Sequence, residues 1–272
     1  LGATTGLTRV NATFVTSGGA DQIEIDSLAA GVPVYVTGTN ATDNLDVGVA
    51  GSTGASDALT IVGLANATGL NLDAAGIETL TYSAQAAASS LDLAGVAPTL
   101  GSATTVNLTG PGAVTITALN TGTNVINAAT LAGGLTVAAS VRNTDAFTIT
   151  GGVNNDSIAM ENVADVLDGG TQAVGGADTL VVDYSAILGG ITVDLSAADQ
   201  VVTMDGTVNS ASQSGFESVD VRAFANFGAV ITGSDGANII TGTVLADRID
   251  AGKGNDTIQV ALTNDANNDQ IN

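Results

Sequence analysis

The sequence predicts an all-β chain, an elongated parallel β-solenoid or β-helix. Three observations carry that reading. Apolar residues alternate in pairs at i and i+2, the pairs recur at short intervals with Gly, Asn, Asp and Thr between them, and long segments of the chain resemble one another. Alternation places successive side chains on opposite faces of a strand. Short even spacing with turn residues between strands fits a sandwich, a barrel or a solenoid. Self-similarity favours the solenoid, because each repeat buries its apolar face only by stacking on the next. A tandem pair of β-sandwiches is the competing architecture.

Along the chain, FVTSGGADQIEI (14–25) opens the pattern with an apolar strand, a glycine turn, an acid and a second strand. Pairs follow at Leu59/Ile61, Leu70/Leu72, Leu80/Tyr82 and Leu91/Leu93, then at Val106/Leu108, Val114/Ile116 and Leu135/Val137. Ala84–Ser90 is the one stretch that suggests a helical turn. FTITGGVNNDSIAM (147–160) repeats the opening pattern, and Leu180/Val182, Val193/Leu195 and Val219/Val221 extend it. AVITGSDGANIITG (229–242) gives it a third time. A longer match joins SDALTIVG, LNLDA and GIETLTYSA (56–84) to ADTLVVDY, ITVDLSA and GFESVDVRA (177–223). The expected organisation is therefore a solenoid over 1–232, holding an internal repeat of approximately 14–100 and 147–223, followed by a nonapeptide segment over 233–272.

Composition narrows the function. The chain has 272 residues, 27 acidic against 5 basic side chains, and no His, Cys or Trp. Five scattered cations form no basic stripe, which excludes nucleic acid and anionic membrane surfaces as partners. No apolar run approaches the ~20 residues of a membrane-spanning helix. The acids are mostly Asp, since Glu occurs only at Glu24, Glu78, Glu161 and Glu217. Asp on loops of a β scaffold suits divalent cations, which prefer hard oxygen ligands. With no cysteine there are no disulfides, so the chain is either intracellular or takes its rigidity from something else, such as metal. The chain starts at Leu1 and stops at Asn272 inside a patterned region, and it reads as a fragment of a longer polypeptide.

The most regular motif lies near the C-terminus. Three nonapeptides run without a gap: GSDGANIIT (233–241), GTVLADRID (242–250) and AGKGNDTIQ (251–259). Their sixth positions are Asn238, Asp247 and Asp256, and their eighth are Ile240, Ile249 and Ile258. Glycines such as Gly254 allow a tight turn that brings backbone carbonyls toward an ion. The sixth-position oxygen is a candidate Ca2+ ligand and the eighth-position aliphatic fills a narrow core. If two nonapeptides make one turn, Asn238 stacks on Asp256 and Asp247 on Asp265. Two carboxylates ~4.8 Å apart repel by roughly 3 kcal/mol at an effective dielectric of 20, and an ion between them reverses the sign. Weaker relatives upstream supply Asp21, Asp43, Asp57, Asp156, Asp165, Asp168 and Asp178 as further metal candidates. For each of these, an ordinary Asp-capped turn is the alternative. Asp205 and Asp235 read as turn residues, and Lys253 as a solvent-facing residue at a variable position.

The nonapeptides resemble the G-G-x-G-x-D-x-U-x repeat of the RTX (repeats-in-toxin) family of secreted calcium-binding proteins. The rest of the chain, with ladders such as TTVNLTGPGAVTITALN (104–120) and phrases such as GIETLTYS (76–83), is similar to calcium-dependent surface-layer (S-layer) proteins. That resemblance implies a structural protein on a Gram-negative cell surface, exported by type I secretion. It implies Ca2+ in the strand-to-strand loops and self-assembly of identical subunits. It also implies anchoring to surface polysaccharide or lipopolysaccharide through a region outside this chain. An RTX-type adhesin or extracellular filament subunit is the alternative.

Other chemistries find little support. The residue after Lys253 is Gly254, so AGKGND is no P-loop, and Thr257 stands where a dinucleotide fingerprint needs its third glycine. Without His or Cys, histidine-assisted and cysteine-nucleophile catalysis are excluded. A pair of carboxylates acting on a polysaccharide would lack the usual tryptophan platforms. The expectation is a protein that is not an enzyme.

Overall fold

A computed structural model describes residues 7–15, 20–39, 42–54, 56–64, 67–97, 104–138, 146–173, 175–183, 189–224, 227–260 and 269–272. Every helix-or-strand element among these residues is a strand. The segment expected to form a helical turn instead ends one strand at Ala84 and begins another at Ala88. Tyr82, Ala84 and Ala86 are all buried, which is the period of two that a strand requires. The chain divides into two compact units, Leu1–Asp145 and Ala146–Asn272. One copy of the internal repeat falls in each.

Unit 1 holds β1 (Val10–Thr13), β2 (Gln22–Leu28), β3 (Val34–Thr37), β4 (Asn44–Val49), β5 (Ala58–Gly63) and β6 (Gly69–Ala75). It continues with β7 (Thr79–Ala84), β8 (Ala88–Ala97), β9 (Thr104–Gly110), β10 (Ala113–Leu119), β11 (Thr123–Leu131) and β12 (Leu135–Val137). Odd strands form one sheet in the order β1-β3-β5-β7-β9-β11, and even strands a second in the order β2-β4-β6-β8-β10-β12. Neighbours pair in parallel. This is the predicted parallel β-solenoid, because each turn of the chain adds one strand to each sheet. Like residues consequently stack. Leu59, Leu80, Val106 and Ile126 form one in-register column, and Ile61, Tyr82 and Leu108 another. All seven are 2% exposed or less. Each buried aliphatic contributes roughly 1.5–3 kcal/mol.

The two sheets of unit 1 carry different outer faces. The strands of the even sheet hold Glu24, Asp26, Asp46, Asp73 and Asp92. Glu24 pairs with Asp46 and Asp46 with Asp73, so three carboxylates occupy one column of the sheet. The strands of the odd sheet hold no charged residue at all. Their outward columns read Thr60, Thr81, Asn107 and Asn127, and Tyr35, Val62, Ser83 and Thr109.

Unit 2 holds β13 (Thr148–Thr150), β14 (Ser157–Met160), β15 (Val166–Asp168), β16 (Thr179–Val182), β17 (Ile191–Asp194), β18 (Val201–Met204) and β19 (Thr207–Val208). After these come β20 (Gln213–Ser214), β21 (Ser218–Asp220), β22 (Ala229–Thr232), β23 (Ile239–Thr241), β24 (Arg248–Asp250), β25 (Thr257–Gln259) and β26 (Gln270–Ile271). Its sheets run β13-β15-β20, β14-β16-β21-β23-β25 and β19-β18-β17-β22-β24-β26. The nonapeptides continue this stacking: β23 lies on β21 and β25 on β23, with Ile240 paired to Ile258.

Unit 2 departs from a purely parallel solenoid at one place. Strands β17, β18 and β19 form an antiparallel meander, although β17 also pairs β22 in parallel. Asp205 (φ 56) and Gly206 (φ 70) make the two-residue β18–β19 turn. Two left-handed residues in succession give the hairpin turn that Asp-Gly favours, which bears out the turn reading of Asp205. Two buried glutamines tie the meander down. Gln200 donates to the carbonyls of Leu195 (3.1 Å) and Phe216 (2.7 Å) and accepts from the Phe216 amide (3.0 Å). Gln213 donates to the Asp165 carbonyl at 2.6 Å.

Candidate functional site

Most of the acidic positions singled out in the sequence share one structural place, one residue before an aligned row of strand residues, whereas Asp168 is the last residue of β15. In unit 2, Ser157, Thr179, Ser218, Ile239 and Thr257 are in register across five strands. The residues before them are Asp156, Asp178, Glu217, Asn238 and Asp256. The topology thus builds a column of oxygen-bearing side chains from positions that span a hundred residues of sequence.

Within such columns the side chains form staples between rungs. The amide N–H of one turn residue donates to the side-chain oxygen of its counterpart on the next rung. Asp156 donates to Asp178 Oδ1 (2.7 Å), Asp178 to Glu217 Oε2 (2.9 Å) and Asn238 to Asp256 Oδ1 (2.9 Å). The Asn238 side chain closes the gap, its Nδ2 donating to the Glu217 carbonyl at 2.7 Å. Elsewhere Asp21 donates to Asp43 Oδ1 (3.1 Å), Asp57 to Glu78 Oε2 (2.9 Å), Phe147 to Asp165 Oδ1 (2.9 Å) and Ala229 to Asp247 Oδ1 (2.8 Å). A charged acceptor for an otherwise unpaired amide contributes about 1.5–3 kcal/mol. Many of the same side chains also close their own loop. Asp156 Oδ2 accepts from Gly152 N, Asp247 Oδ2 from Thr243 N, and Asn238 Oδ1 from Ser234 N, each four residues back. Asp57 and Asp168 accept from Gly54 N and Gly170 N.

Glu78 and Glu217 were not among the predicted ligands, yet they complete two matching clamps. Glu78 takes the Asp57 N–H, while the Asp57 carbonyl takes the N–H groups of Glu78 and Thr79, both at 3.0 Å. Glu217 takes the Asp178 N–H, while the Asp178 carbonyl takes those of Glu217 (3.1 Å) and Ser218 (2.9 Å). Gly76 and Gly215, both at φ 73, turn the chain into each clamp. A side chain there would strain the left-handed backbone. The repeated Gly-x-Glu phrase was the signal in the sequence.

The nonapeptides stack as expected in one column and shift in the other. Asn238 sits on Asp256, eighteen residues away. The partner of Asp247 is Asp269, whose Oδ1 accepts the Asp247 N–H at 2.9 Å. Asp265 lies outside the described residues. Ile240 and Ile249 are fully buried and Ile258 is half-buried. Gly252 (φ 81) and Gly254 (φ 119) have left-handed backbones. Lys253 is solvent-facing, as read, but it also meets Asp235 at 2.8 Å one rung away. Both side chains are about four-fifths exposed, so the pair contributes little.

No family model, curated protein or solved structure matches the chain.

The turns differ in what they could offer a cation. Asp165 accepts from three backbone amides, those of Phe147, Glu161 and Asn162. Asp247 accepts from two amides and the Thr243 hydroxyl. Donor hydrogens already engage both of these carboxylates. Asp178 is different. It is fully buried, and its Oδ2 has no hydrogen-bond partner. The Gln172 amide faces the same carboxylate, and both its oxygen and its nitrogen are also buried without a well-formed bond. Burial, reinforced by the charges of Asp156 and Glu217, pushes the Asp178 carboxyl up to about 7. A buried carboxylate with surplus negative charge around it suits Ca2+ in kind, with Asp178 Oδ2 as the spare ligand atom. Among the described residues no three acidic side chains form a ready-made metal cage. An ion here would draw the rest of its shell from backbone carbonyls or water.

Proposed function

We propose that the chain is a structural module of a calcium-dependent extracellular assembly of the S-layer kind, in which Ca2+ bound at the Asp178 turn completes a solenoid held together by acidic staples. The observation that carries this reading is the spare, fully buried Asp178 oxygen set between Asp156 and Glu217. A carboxylate buried beside two others disfavours its own ionisation, and a divalent cation reverses that penalty. Binding only the folded chain would then raise stability with ion concentration. The role is structural, because the acidic columns join rungs to one another.

Thermal melting in EDTA and in excess Ca2+ tests this. The wild-type chain should melt at a higher temperature with Ca2+, and Asp178→Asn should lose most of that gain. The asparagine oxygen still accepts the Asp156 amide, so the variant should fold. Identical melting of the wild type with ion and with chelator would remove calcium from the reading.

A further inference from the structure

We propose that the uncharged outer face of the odd-numbered sheet in unit 1 is where a second copy of this chain docks. The inference rests on the self-assembly part of the function proposed above and is independent of where calcium binds.

Charge selects the face. The chain carries a net charge of -22, so most approaches between two copies bring acid against acid. In unit 1 the even-numbered sheet is the least suitable face, because Glu24, Asp46 and Asp73 share one column. The odd-numbered sheet has six strands and no acidic or basic residue. Among the described residues, the cation beside it is Arg9, 5.4 Å from the centre of the Tyr35 ring. Two such faces meet without like-charge contact.

Shape and size agree with charge. Parallel in-register strands align Thr60, Thr81, Asn107 and Asn127 as a straight column. Asn127 Nδ2 donates to Asn107 Oδ1 at 3.3 Å, so neighbouring amides are already ordered. Six strands spaced ~4.8 Å, each presenting about five residues at ~3.3 Å, give on the order of 450 Å² of projected face. Two copies then bury about 900 Å² or somewhat more, below the roughly 1,200 Å² of standard specific interfaces and in the range of weak, transient contacts. The contact is accordingly weak and dependent on concentration. An isologous two-fold arrangement lets the same hydroxyl and amide columns serve both partners.

Sedimentation velocity over a range of protein concentrations tests the assignment, run with Ca2+ and with EDTA. The wild-type chain should associate reversibly, and Thr81→Glu should weaken association at least about tenfold, because it opposes two like charges across the contact. Mixing Thr81→Glu with Thr81→Lys should restore it. Asn127→Glu provides a second variant, on a more exposed position, should Thr81→Glu fail to fold. Asp46→Asn, on the other sheet, should not weaken association. A wild-type chain that stays monomeric at every concentration overturns the proposal. So does association that ignores both glutamate variants, although self-assembly itself would then stand. Association unaffected by EDTA would support the face while removing calcium from its control.

Discussion

At the residue scale, the acids before the strands act first as hydrogen-bond acceptors. Glu78 shows this, because its carboxylate meets the Asp57 amide that the sheet itself does not reach. Glu78→Ala should destabilise the fold by about 1–3 kcal/mol, whereas Glu78→Gln keeps an acceptor and should cost much less. Urea unfolding of the two variants distinguishes them. Tyr82 imposes a different constraint. Its hydroxyl lies where a side chain on Gly63 would sit, so Gly63→Ala should push the ring from its place in the core and cost about 1–3 kcal/mol in the same measurement. Asp178 links stability to pH. The unfolded chain releases this proton near 3.8 and the folded chain near 7. A raised carboxyl favours the fold below the first value and loses that advantage by the second. Facing Asp156, Glu217 and Gln172, the group should make the metal-free protein less stable as pH rises from about 4 to 7, by on the order of 1–4 kcal/mol. Melting in EDTA across that range, compared with Asp178→Asn, isolates its share, and no pH-dependent difference between the two would refute it.

At the scale of elements, parallel register turns a sequence period into a column. It does so indifferently for favourable and unfavourable neighbours. Leu59, Leu80 and Val106 gain by stacking, while Glu24, Asp46 and Asp73 repel. Asp46→Asn should therefore raise the melting temperature, by the equivalent of up to about 1 kcal/mol, and more at low salt than at high salt. A drop in melting temperature would mean that Asp46 has a favourable partner. The meander β17–β19 follows another logic, with Asp205-Gly206 reversing the chain and Gln200 and Gln213 anchoring the returning strand. A polar residue buried this deeply is tolerated because each amide finds backbone partners.

At the scale of the whole molecule, the large negative charge keeps copies apart unless an uncharged surface or a cation intervenes. The acidic turns and the neutral sheet divide these tasks between them. One set of residues tightens the stacking of rungs, and the other offers a face on which like charges do not meet. The parallel solenoid was legible in the sequence because the alternating pairs and the repeats 14–25, 147–160 and 229–242 are local signals. The eighteen-residue stacking of Asn238 on Asp256 was legible for the same reason. The 22-residue step from Asp247 to Asp269 was not, since it departs from the eighteen-residue period.

The amino-acid order by itself determined that strands would form, where they would turn, and which aliphatics would face inward. These depend on residues within a few positions of one another. Only the tertiary structure decided which acids meet. Asp178 and Glu217 are thirty-nine residues apart and become neighbours because the β17–β19 meander is inserted between two otherwise consecutive rungs. The segregation of charge onto one sheet of unit 1 appears likewise only when alternate strands are sorted into two sheets. Register between distant strands sets the column in which each side chain stands, and local spacing carries no record of it once an insertion intervenes.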